Sequence, residues 1–558
     1  MSEGARVWRD RALAAERQGG PAAALALLDA GLREFPAVAP LHNSAGSLAL
    51  RCGLADRAAA AFAAARALAP QEAEYAINHA IALERTGAAG AALAALDQVA
   101  QGKRDARYWS VAGSCARSAG DLARAAACYD RALALENNRA LALKGRARVA
   151  LERGEDDAEA RYRAAISVTP GDRELWLGRA YALSEAGDLP AALSIAQAIV
   201  GQAPGWIDGL RLLAELRLAK GDPDFDSHFI AVAGKAPDDP AIPLAHLALL
   251  ENVERFAAAH DVAARAGRAF PDRPEFPVLA AAMASAAGEL DEASRLFAAL
   301  PAAGARPTIE RARHALRLGD GAQATALLTS VTAEPQAAHA AYALLSIAWR
   351  MTGDPRAEWL HGQEGLVALL PLRDAETVLP AAIARLKVLH DRAAFPLGQS
   401  LRGGTQTRHR LFDRHEPEFA ALKTAILATV EDYRAGLPPR DGAHPLLRHR
   451  EAPWPMAGSW SVRLTGGADF HASHIHPQGI LSSALYLLLP DRAGLARGEG
   501  WLELGRPPAD LRLDLGPVTS LHPREGYLAL FPSTLYHGTT PFAQGRRMTV
   551  AFDIAAGT

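Results

Sequence analysis

The sequence predicts a multidomain α + β protein, in which an all-α solenoid of helical repeats precedes a β-rich domain of sandwich or barrel type. Through the first 355 residues, glycines recur at a regular interval between stretches rich in alanine and leucine. From Trp460 to Ile554, short β-rich runs are separated by glycine, proline and aspartate, a pattern typical of an all-β domain. A chain of 558 residues is long enough for two or more such domains.

The repeat is marked by glycines and prolines of constant spacing. The glycines are Gly20, Gly53, Gly87, Gly120, Gly154, Gly187, Gly221, Gly288, Gly319 and Gly353, and the prolines are Pro70, Pro170, Pro204, Pro237 and Pro271. Most steps are 33 or 34 residues, or twice that, and the unit around residues 252–256 lacks its turn glycine. This pattern resembles the tetratricopeptide repeat, which implies about ten units over residues 1–356.

Stacked helical pairs bury a continuous core and leave a concave face. We therefore expect the groove of the array to bind a peptide or protein segment. The alternative is that the array serves only as a scaffold or as a dimerisation surface, and dimerisation would make the protein a homo-oligomer.

The repeat pattern fades after Gly353. We expect a helical connector over residues 357–395, helical from Glu358 to His390, and a C-terminal domain over residues 396–558. Residues 396–407 are polar and glycine-rich, which favours a wall or lid of an active site over an ordinary surface loop. The candidate residues of that wall or lid are Gln399, Arg402, Thr405 and Gln406. An amphipathic helix is predicted from about Pro417 to Tyr433.

Composition excludes several classes of partner. The 60 basic and 62 acidic residues nearly balance, so neither nucleic acid nor an anionic membrane is expected as a partner. There are only three cysteines, which fits a reducing cytosol. The N-terminus shows no apolar leader and no apolar run reaches 18 residues, so a cytoplasmic protein is expected.

Three histidines near the C-terminus have the spacing of metal ligands. His474 and His476 are two residues apart, so on a strand their side chains would point the same way. His537 follows a separate strand about sixty residues later. Two imidazoles from one strand and one from another can occupy three adjacent corners of a metal and leave positions open for substrates.

The wider pattern resembles the 2-oxoglutarate- and Fe(II)-dependent oxygenases, above all a bacterial group in which that domain follows tetratricopeptide repeats. The resemblance rests on His-x-His-Pro (474–477), the strand containing Tyr486, the run 526–533, His537 and Arg547-x-Thr549, with a lead-in at 399–407. It implies a double-stranded β-helix (a jelly-roll) that uses Fe(II), 2-oxoglutarate and O2.

By this resemblance His474 and His537 are metal ligands, and His476 stands where the family's usual triad has a carboxylate. Asp469, His471 or Glu503 could complete the metal shell instead.

The resemblance also assigns the co-substrate anchor. Arg547 would hold the distal carboxylate of 2-oxoglutarate, because a guanidinium binds a carboxylate through two charge-assisted bonds. Thr549 would assist it, and Tyr486 is a candidate second donor.

We therefore expect a dioxygenase that hydroxylates a side chain of a peptide or protein delivered by the repeats. One alternative is a small-molecule oxygenase whose repeats serve assembly. The other is a non-catalytic repeat adaptor with a degenerate oxygenase domain.

Overall fold

The computed structural model describes residues 2–301, 304–392, 401–467, 469–491 and 495–557. The chain forms two compact units, residues 1–182 and 183–558. The first unit contains helices α1 Glu3–Arg17, α2 Pro21–Glu34, α3 Ala39–Arg51, α4 Ala55–Leu68, α5 Ala73–Arg85, α6 Ala89–Asp97, α7 Ala106–Ser118, α8 Leu122–Leu135, α9 Ala140–Glu152 and α10 Ala158–Val168. Helix α11, Arg173–Glu185, includes the boundary between the units.

The second unit continues the helical pairs and then adds strands. Its helices are α12 Leu189–Gln202, α13 Ile207–Ala219, α14 Ser227–Lys235, α15 Ala241–Asn252, α16 Phe256–Ala269, α17 Glu275–Ala287, α18 Leu290–Ala298, α19 Ala305–Arg317, α20 Gly321–Thr329, α21 Pro335–Thr352, α22 Ala375–Arg392 and α23 Pro417–Ala435. Helices α1 to α20 follow one another as successive pairs of the predicted kind.

The turn glycines explain the period of the repeat. Gly53, Gly187 and Gly319 have φ values of 77°, 88° and 81°, in the left-handed region that glycine enters without steric penalty. In the first repeat, the turn residue in the left-handed conformation is Gly19, with φ 79°, and not Gly20 as the spacing suggested. In the repeat without a turn glycine, Glu254 takes the same conformation with φ 57°.

Small residues inside the helices allow close packing around one aromatic side chain. A Cβ atom added at Gly113 would lie only 2.8 Å from the ring of Tyr129, and one added at Gly145 would lie only 2.2 Å from it. Tyr129 is 2% exposed, so the ring fills the gap between α7, α8 and α9.

The strands form one large and two small antiparallel sheets. They are β1 Ala368–Pro371, β2 Leu401–Arg402, β3 Thr405–Gln406, β4 Met456–Leu464, β5 Phe470–His471, β6 Leu481–Leu488, β7 Leu502–Leu504, β8 Thr519–Leu521, β9 Tyr527–Pro532, β10 His537–Thr539 and β11 Arg547–Ile554. The six-stranded sheet has the order β1-β9-β6-β11-β4-β3, the three-stranded sheet β10-β7-β8, and β2 pairs with β5.

Alternation along β11 separates the core from the inner face of the large sheet. Met548, Val550 and Phe552 are buried in a core that the large sheet shares with α22 and α23. Arg547, Thr549 and Ala551, with the opposite parity, line a cavity on the inner face, as expected for a period of two. The predicted amphipathic helix is α23, and its residues Phe419, Leu422, Ile426 and Val430 all lie in that core.

One expectation about the connector was wrong. Residues 368–371 form β1 instead of continuing a helix, and they pair antiparallel with β9. The cause is burial on both faces: Leu369 packs against the inner cluster around Tyr486 while Leu370 packs against the outer core. A short apolar run that is buried on both sides does not reveal its period.

The predicted fold class is confirmed. The N-terminal part is built of helical repeat pairs, and the C-terminal part is an antiparallel jelly-roll whose large sheet packs on the three-stranded sheet through Tyr486, Leu504 and Phe531. Within the described residues, no helix combines the length and the apolar character needed to cross a membrane.

Candidate metal centre and co-substrate pocket

A single backbone bridge brings the distant histidines together. The amide of His474 donates to the carbonyl of His537 over 3.0 Å, and the amide of His537 donates back over 2.9 Å. His474 forms only this isolated bridge, and His476 follows outside any strand, just before Pro477. The two side chains nevertheless point the same way, as expected for residues two apart in extended chain.

The three imidazoles converge. Nε2 of His474 lies 2.9 Å from Nε2 of His476, and candidate ligand atoms of these two residues and His537 all lie within 4.8 Å of one another. The ring centroid of His537 is 4.3 Å from that of His474 and 4.9 Å from that of His476. The structure therefore places all three predicted ligands in one cluster.

Each Nδ1 atom has an oxygen acceptor, which fixes the tautomers. Nδ1 of His474 donates to the carbonyl of Ala472 over 2.8 Å, and Nδ1 of His537 donates to the carbonyl of Leu535 over 3.1 Å. Nδ1 of His476 donates to Oδ1 of Asp553 over 2.6 Å. With the proton on Nδ1, each Nε2 keeps its lone pair, which is the arrangement that metal-binding histidines use.

Burial keeps the imidazoles of His474 and His537 neutral. Burial, followed by the charge of the neighbouring His537 ring, holds the pKa of His474 well below its usual value. Burial and then His476 lower the pKa of His537 in the same way. Neutral imidazole is the form that binds a metal.

The residues fit a divalent metal. Two Nε2 lone pairs facing each other over 2.9 Å repel unless a cation lies between them. That separation is close to the spacing of two adjacent corners around an ion with metal–nitrogen distances of about 2.1 Å. A site with imidazole ligands suits Fe(II) among other first-row metals.

The alternative ligands lie outside the cluster. Asp469 accepts hydrogen bonds from the amide and hydroxyl of Thr465, at 2.8 Å and 3.0 Å, and Glu503 forms an ion pair with Arg506. The ring of His471 lies 6.0 Å from that of His474, centroid to centroid, and His471 lines the cavity without joining the group. No carboxylate of the described residues belongs to the ligand group.

Arg547 is a buried cation positioned for an anion. It is 3% exposed, its Nη1 donates to the carbonyl of Gly500 over 2.8 Å, and its guanidinium lies 5.3 Å from the centre of the Tyr486 ring. It forms no ion pair with any carboxylate of the described chain, and burial lowers its pKa. Such a group is costly without a partner and would be stabilised by a bound carboxylate.

Tyr486 and Thr549 lie beside this arginine. Tyr486 is fully buried, burial raises its pKa to about 12, and its hydroxyl has no hydrogen-bond partner within the described chain. An unsatisfied buried donor next to a guanidinium fits the carboxylate end of 2-oxoglutarate. Thr549 is 9% exposed and lines the cavity together with Arg547.

The lid candidates have different positions. Gln399 and the side chain of Arg402 lie outside the described residues. Gln406 lines the cavity, whereas the hydroxyl of Thr405 is hydrogen-bonded to Nδ1 of His390 over 2.9 Å. Nε2 of His390 in turn contacts Oγ of Ser461 on β4 over 3.0 Å, so this buried histidine attaches β3 to the large sheet.

The cavity has a volume of about 600 Å³, within the range of small-molecule sites. Its lining includes the three candidate ligands, Arg547 and Thr549, and also residues of α15, α16, α17 and α19. These repeat helices are attached to the β domain by buried polar contacts. Arg317 on α19 donates to the carbonyl of Asp510 over 2.9 Å and pairs with its carboxylate over 2.5 Å.

Sequence reasoning missed several of these residues. Asp553 shares the strand parity of Arg547 and Thr549, so the alternation along β11 could have placed it on the inner face. No sequence signal brought Glu251 and Glu310 to the cavity, because that requires knowing which repeats pack on the β domain.

Comparisons with known proteins agree with this geometry. Residues 458–553 match the family model described as "Putative 2OG-Fe(II) oxygenase". No curated protein matches the chain.

The solved structures similar to this chain include the following three. PilW, a type IV pilus biogenesis factor, is 18% identical, covering 38% of this chain and all of its own, with a TM-score of 0.36. A tetratricopeptide repeat protein from Parabacteroides merdae is 18% identical, and the match covers 44% of this chain and 98% of that protein, with a TM-score of 0.36. Yeast Tom70 is 13% identical, and the match covers 77% of this chain and 96% of Tom70, with a TM-score of 0.32.

Fold and site thus define a helical repeat protein whose C-terminal jelly-roll holds a candidate three-histidine metal centre. The match to the family model described as "Putative 2OG-Fe(II) oxygenase" lies within that jelly-roll, over residues 458–553.

Proposed function

We propose that this protein is a 2-oxoglutarate- and Fe(II)-dependent dioxygenase that hydroxylates a side chain of a peptide or protein bound by its repeat helices. His474, His476 and His537 are the proposed iron ligands. Arg547, assisted by Thr549 and Tyr486, is the proposed anchor of the co-substrate.

One observation carries the proposal: the imidazole cluster, the buried guanidinium of Arg547 and four repeat helices line the same cavity. The family match supports the chemistry. The repeat helices support a macromolecular substrate, because a segment bound along them would reach the metal centre. The domain limits 1–356, 357–395 and 396–558 are part of the proposal.

The overall reaction balances without another reductant. A substrate C–H, 2-oxoglutarate and O2 give C–OH, succinate and CO2, with one oxygen atom in the hydroxyl and the other in the new carboxylate of succinate. Oxidation of the substrate and of 2-oxoglutarate supplies two electrons each. Bound iron supplies the activation of O2. The chain orients both substrates, and the neutral tautomers of His474 and His537 leave Nε2 free to bind.

The test is release of succinate from the full-length protein, incubated with Fe(II), 2-oxoglutarate and a panel of peptides. We expect stimulation of succinate release by some peptides, and a mass gain of one oxygen atom on those peptides. The His537→Ala variant is the negative control. A pull-down with the protein as bait supplies candidate sequences for the panel.

Two outcomes contradict the proposal in different ways. Turnover of small molecules that no peptide inhibits would indicate a small-molecule oxygenase. Failure to bind Fe(II) and 2-oxoglutarate together would indicate a non-catalytic adaptor.

A further inference from the structure

The turn between β9 and β10, residues 533–536, leads directly into the proposed ligand His537. The amide of Leu535 closes this turn by donating to the carbonyl of Pro532 over 2.9 Å. The carbonyl of Leu535 in turn accepts a hydrogen bond from Nδ1 of His537 over 3.1 Å. Because an acceptor on the second ring nitrogen orients a ligating imidazole, the direction of the His537 ring depends on the position of this turn.

A buried histidine that has no part in the proposed chemistry contacts the same turn. Nε2 of His361 lies 3.0 Å from Oγ1 of Thr534, the residue before Leu535. Thr534 is only 4% exposed, and its hydroxyl has no other hydrogen-bond partner in the described part of the chain. Loss of the His361 ring would leave a buried hydroxyl unpaired, which is costly as long as the turn stays in place.

His361 is held in its turn by the last repeat helix. Its Nδ1 lies 2.9 Å from Oγ of Ser346 on α21. It belongs to a short π-helical segment, Glu358–Gly362, and such segments are rare and often occur at functional sites. Burial lowers the pKa of His361 to about 3, so the ring is neutral, and one of its nitrogens donates while the other accepts.

The two residues after Thr534 are fixed in different cores. Leu535 is buried in the inner cluster between the two sheets of the jelly-roll. Tyr536 is buried instead in the core formed by the last repeat helices, α19 to α21. Three consecutive residues therefore attach the chain in front of His537 both to the repeats and to the sheets.

We propose that His361 is a positioning residue for the metal centre, which through Thr534 fixes the turn whose carbonyl orients His537. The proposal rests on the proposed function, because it concerns the same metal site. It adds that α21 and the π-helical segment support this site, so that metal affinity depends on the end of the repeat array. Repeats that served only to recruit a partner would have no such effect.

Binding of Co(II) to the full-length protein, measured by equilibrium dialysis, tests this role without turnover. Thr534→Val keeps the branched shape of the side chain and removes its hydroxyl. It should weaken Co(II) binding about three- to tenfold, less than the loss of about 10- to 100-fold that is typical when a direct partner of a ligand is removed. Thr534→Ser keeps the hydroxyl and should bind Co(II) as the wild type does.

Variants of His361 test the other side of the contact. His361→Leu removes both ring nitrogens and should weaken Co(II) binding at least as much as Thr534→Val. His361→Gln places an amide near the position of Nε2 and should lose less. These variants also keep the test decisive if Thr534→Val does not fold, which thermal unfolding of each protein checks.

Two backgrounds separate positioning from a general loss of stability. In His537→Ala, adding Thr534→Val should leave the remaining Co(II) affinity unchanged, because the ligand that the turn orients is already absent. In His474→Ala, where His537 is intact, adding Thr534→Val should still weaken binding about three- to tenfold. Thr429→Val removes a buried hydroxyl from α23 and is the matched control. It should lower the midpoint of thermal unfolding and leave Co(II) affinity unchanged.

The outcomes separate this inference from the proposed function. Wild-type affinity in both Thr534→Val and His361→Leu overturns the positioning role. An equal loss in Thr534→Ser, or the same fractional loss when Thr534→Val is added to His537→Ala, also overturns it. Wild-type Co(II) affinity in His537→Ala would instead contradict the proposed metal centre itself.

Discussion

Oδ1 of Asp553 lies 2.6 Å from Nδ1 of His476, so a carboxylate lies directly behind an imidazole that we propose as an iron ligand. The hydroxyl of Ser482 lies 3.2 Å from the same oxygen. The negative charge of Asp553 is thus separated from the proposed metal position only by the His476 ring. A carboxylate that accepts from a ligating histidine orients the ring and increases its basicity.

Asp553 should therefore affect metal affinity without touching the metal. We expect Asp553→Asn, which keeps an acceptor but loses the charge, to weaken binding of Fe(II) or Co(II) about tenfold, and Asp553→Ala to weaken it up to about 100-fold. Equilibrium dialysis measures both. Asp514→Asn, at an exposed position, is the control, and equal affinities for all variants would contradict the role of Asp553.

The ligand set can be tested residue by residue. His474→Ala, His476→Ala and His537→Ala should each reduce Co(II) affinity by at least about 100-fold, because each removes one of three converging Nε2 atoms. His471→Ala should retain Co(II) binding, since its ring lies outside the ligand group. Loss of binding in His471→Ala with retention in His476→Ala would show that the shell is completed differently.

Substitution of Arg547 should affect protein stability and 2-oxoglutarate binding in different ways. Arg547→Met removes a buried guanidinium that has no carboxylate partner among the described residues, so the ligand-free protein should be as stable as the wild type or more stable. Affinity for 2-oxoglutarate should fall at least about thirtyfold, or about 2 kcal/mol. Arg547→Lys keeps the charge and should lose less.

Thermal unfolding with and without 2-oxoglutarate measures both effects, because a ligand that binds only the native state raises the midpoint. Arg546→Met, at the exposed neighbouring position, should keep the full ligand-induced increase. A loss of the increase in Arg546→Met but not in Arg547→Met would contradict the assignment.

The buried histidine under β3 predicts how stability depends on pH. Burial lowers the pKa of His390 to about 3, below the ordinary value of 6.5. Between these values the unfolded chain binds a proton that the native state excludes, so stability is full above the unfolded pKa and falls as the pH falls. The contribution of one such group is up to about 1.4 kcal/mol per pH unit.

His390→Asn should therefore make the free energy of unfolding fall less steeply between about pH 6 and pH 4 than in the wild type. Urea unfolding across that range measures the slope. His415→Asn, at an exposed position, controls for loss of a histidine. Identical slopes for His390→Asn and the wild type would show that His390 is not a neutral buried group.

Local patterns made much of the fold predictable. The glycine period predicted the helical pairs because a left-handed turn residue is required at each one. The amphipathic spacing of Phe419, Leu422, Ile426 and Val430 predicted α23. By contrast, β1 was missed because burial on both faces hides its period, and Glu254 shows that a turn can keep its conformation without glycine.

The candidate site was predictable in part for the same reason. Spacing and strand alternation singled out the three histidines, Arg547 and Thr549, all of which the structure places on one cavity. The hydrogen bond from His476 to Asp553 crosses 77 residues, and the repeat helices that line the cavity lie about 200 residues before the histidine cluster in the chain. Contacts over such distances depend on tertiary packing, which no local pattern encodes.

The most direct test of the account is anaerobic addition of Fe(II) and 2-oxoglutarate to the full-length protein while visible absorption is recorded. The account predicts the weak charge-transfer band of an Fe(II)–2-oxoglutarate chelate in the wild type, and its loss in His537→Ala. Absence of the band in the folded wild-type protein, or an undiminished band in His537→Ala, would contradict the three-histidine oxygenase centre.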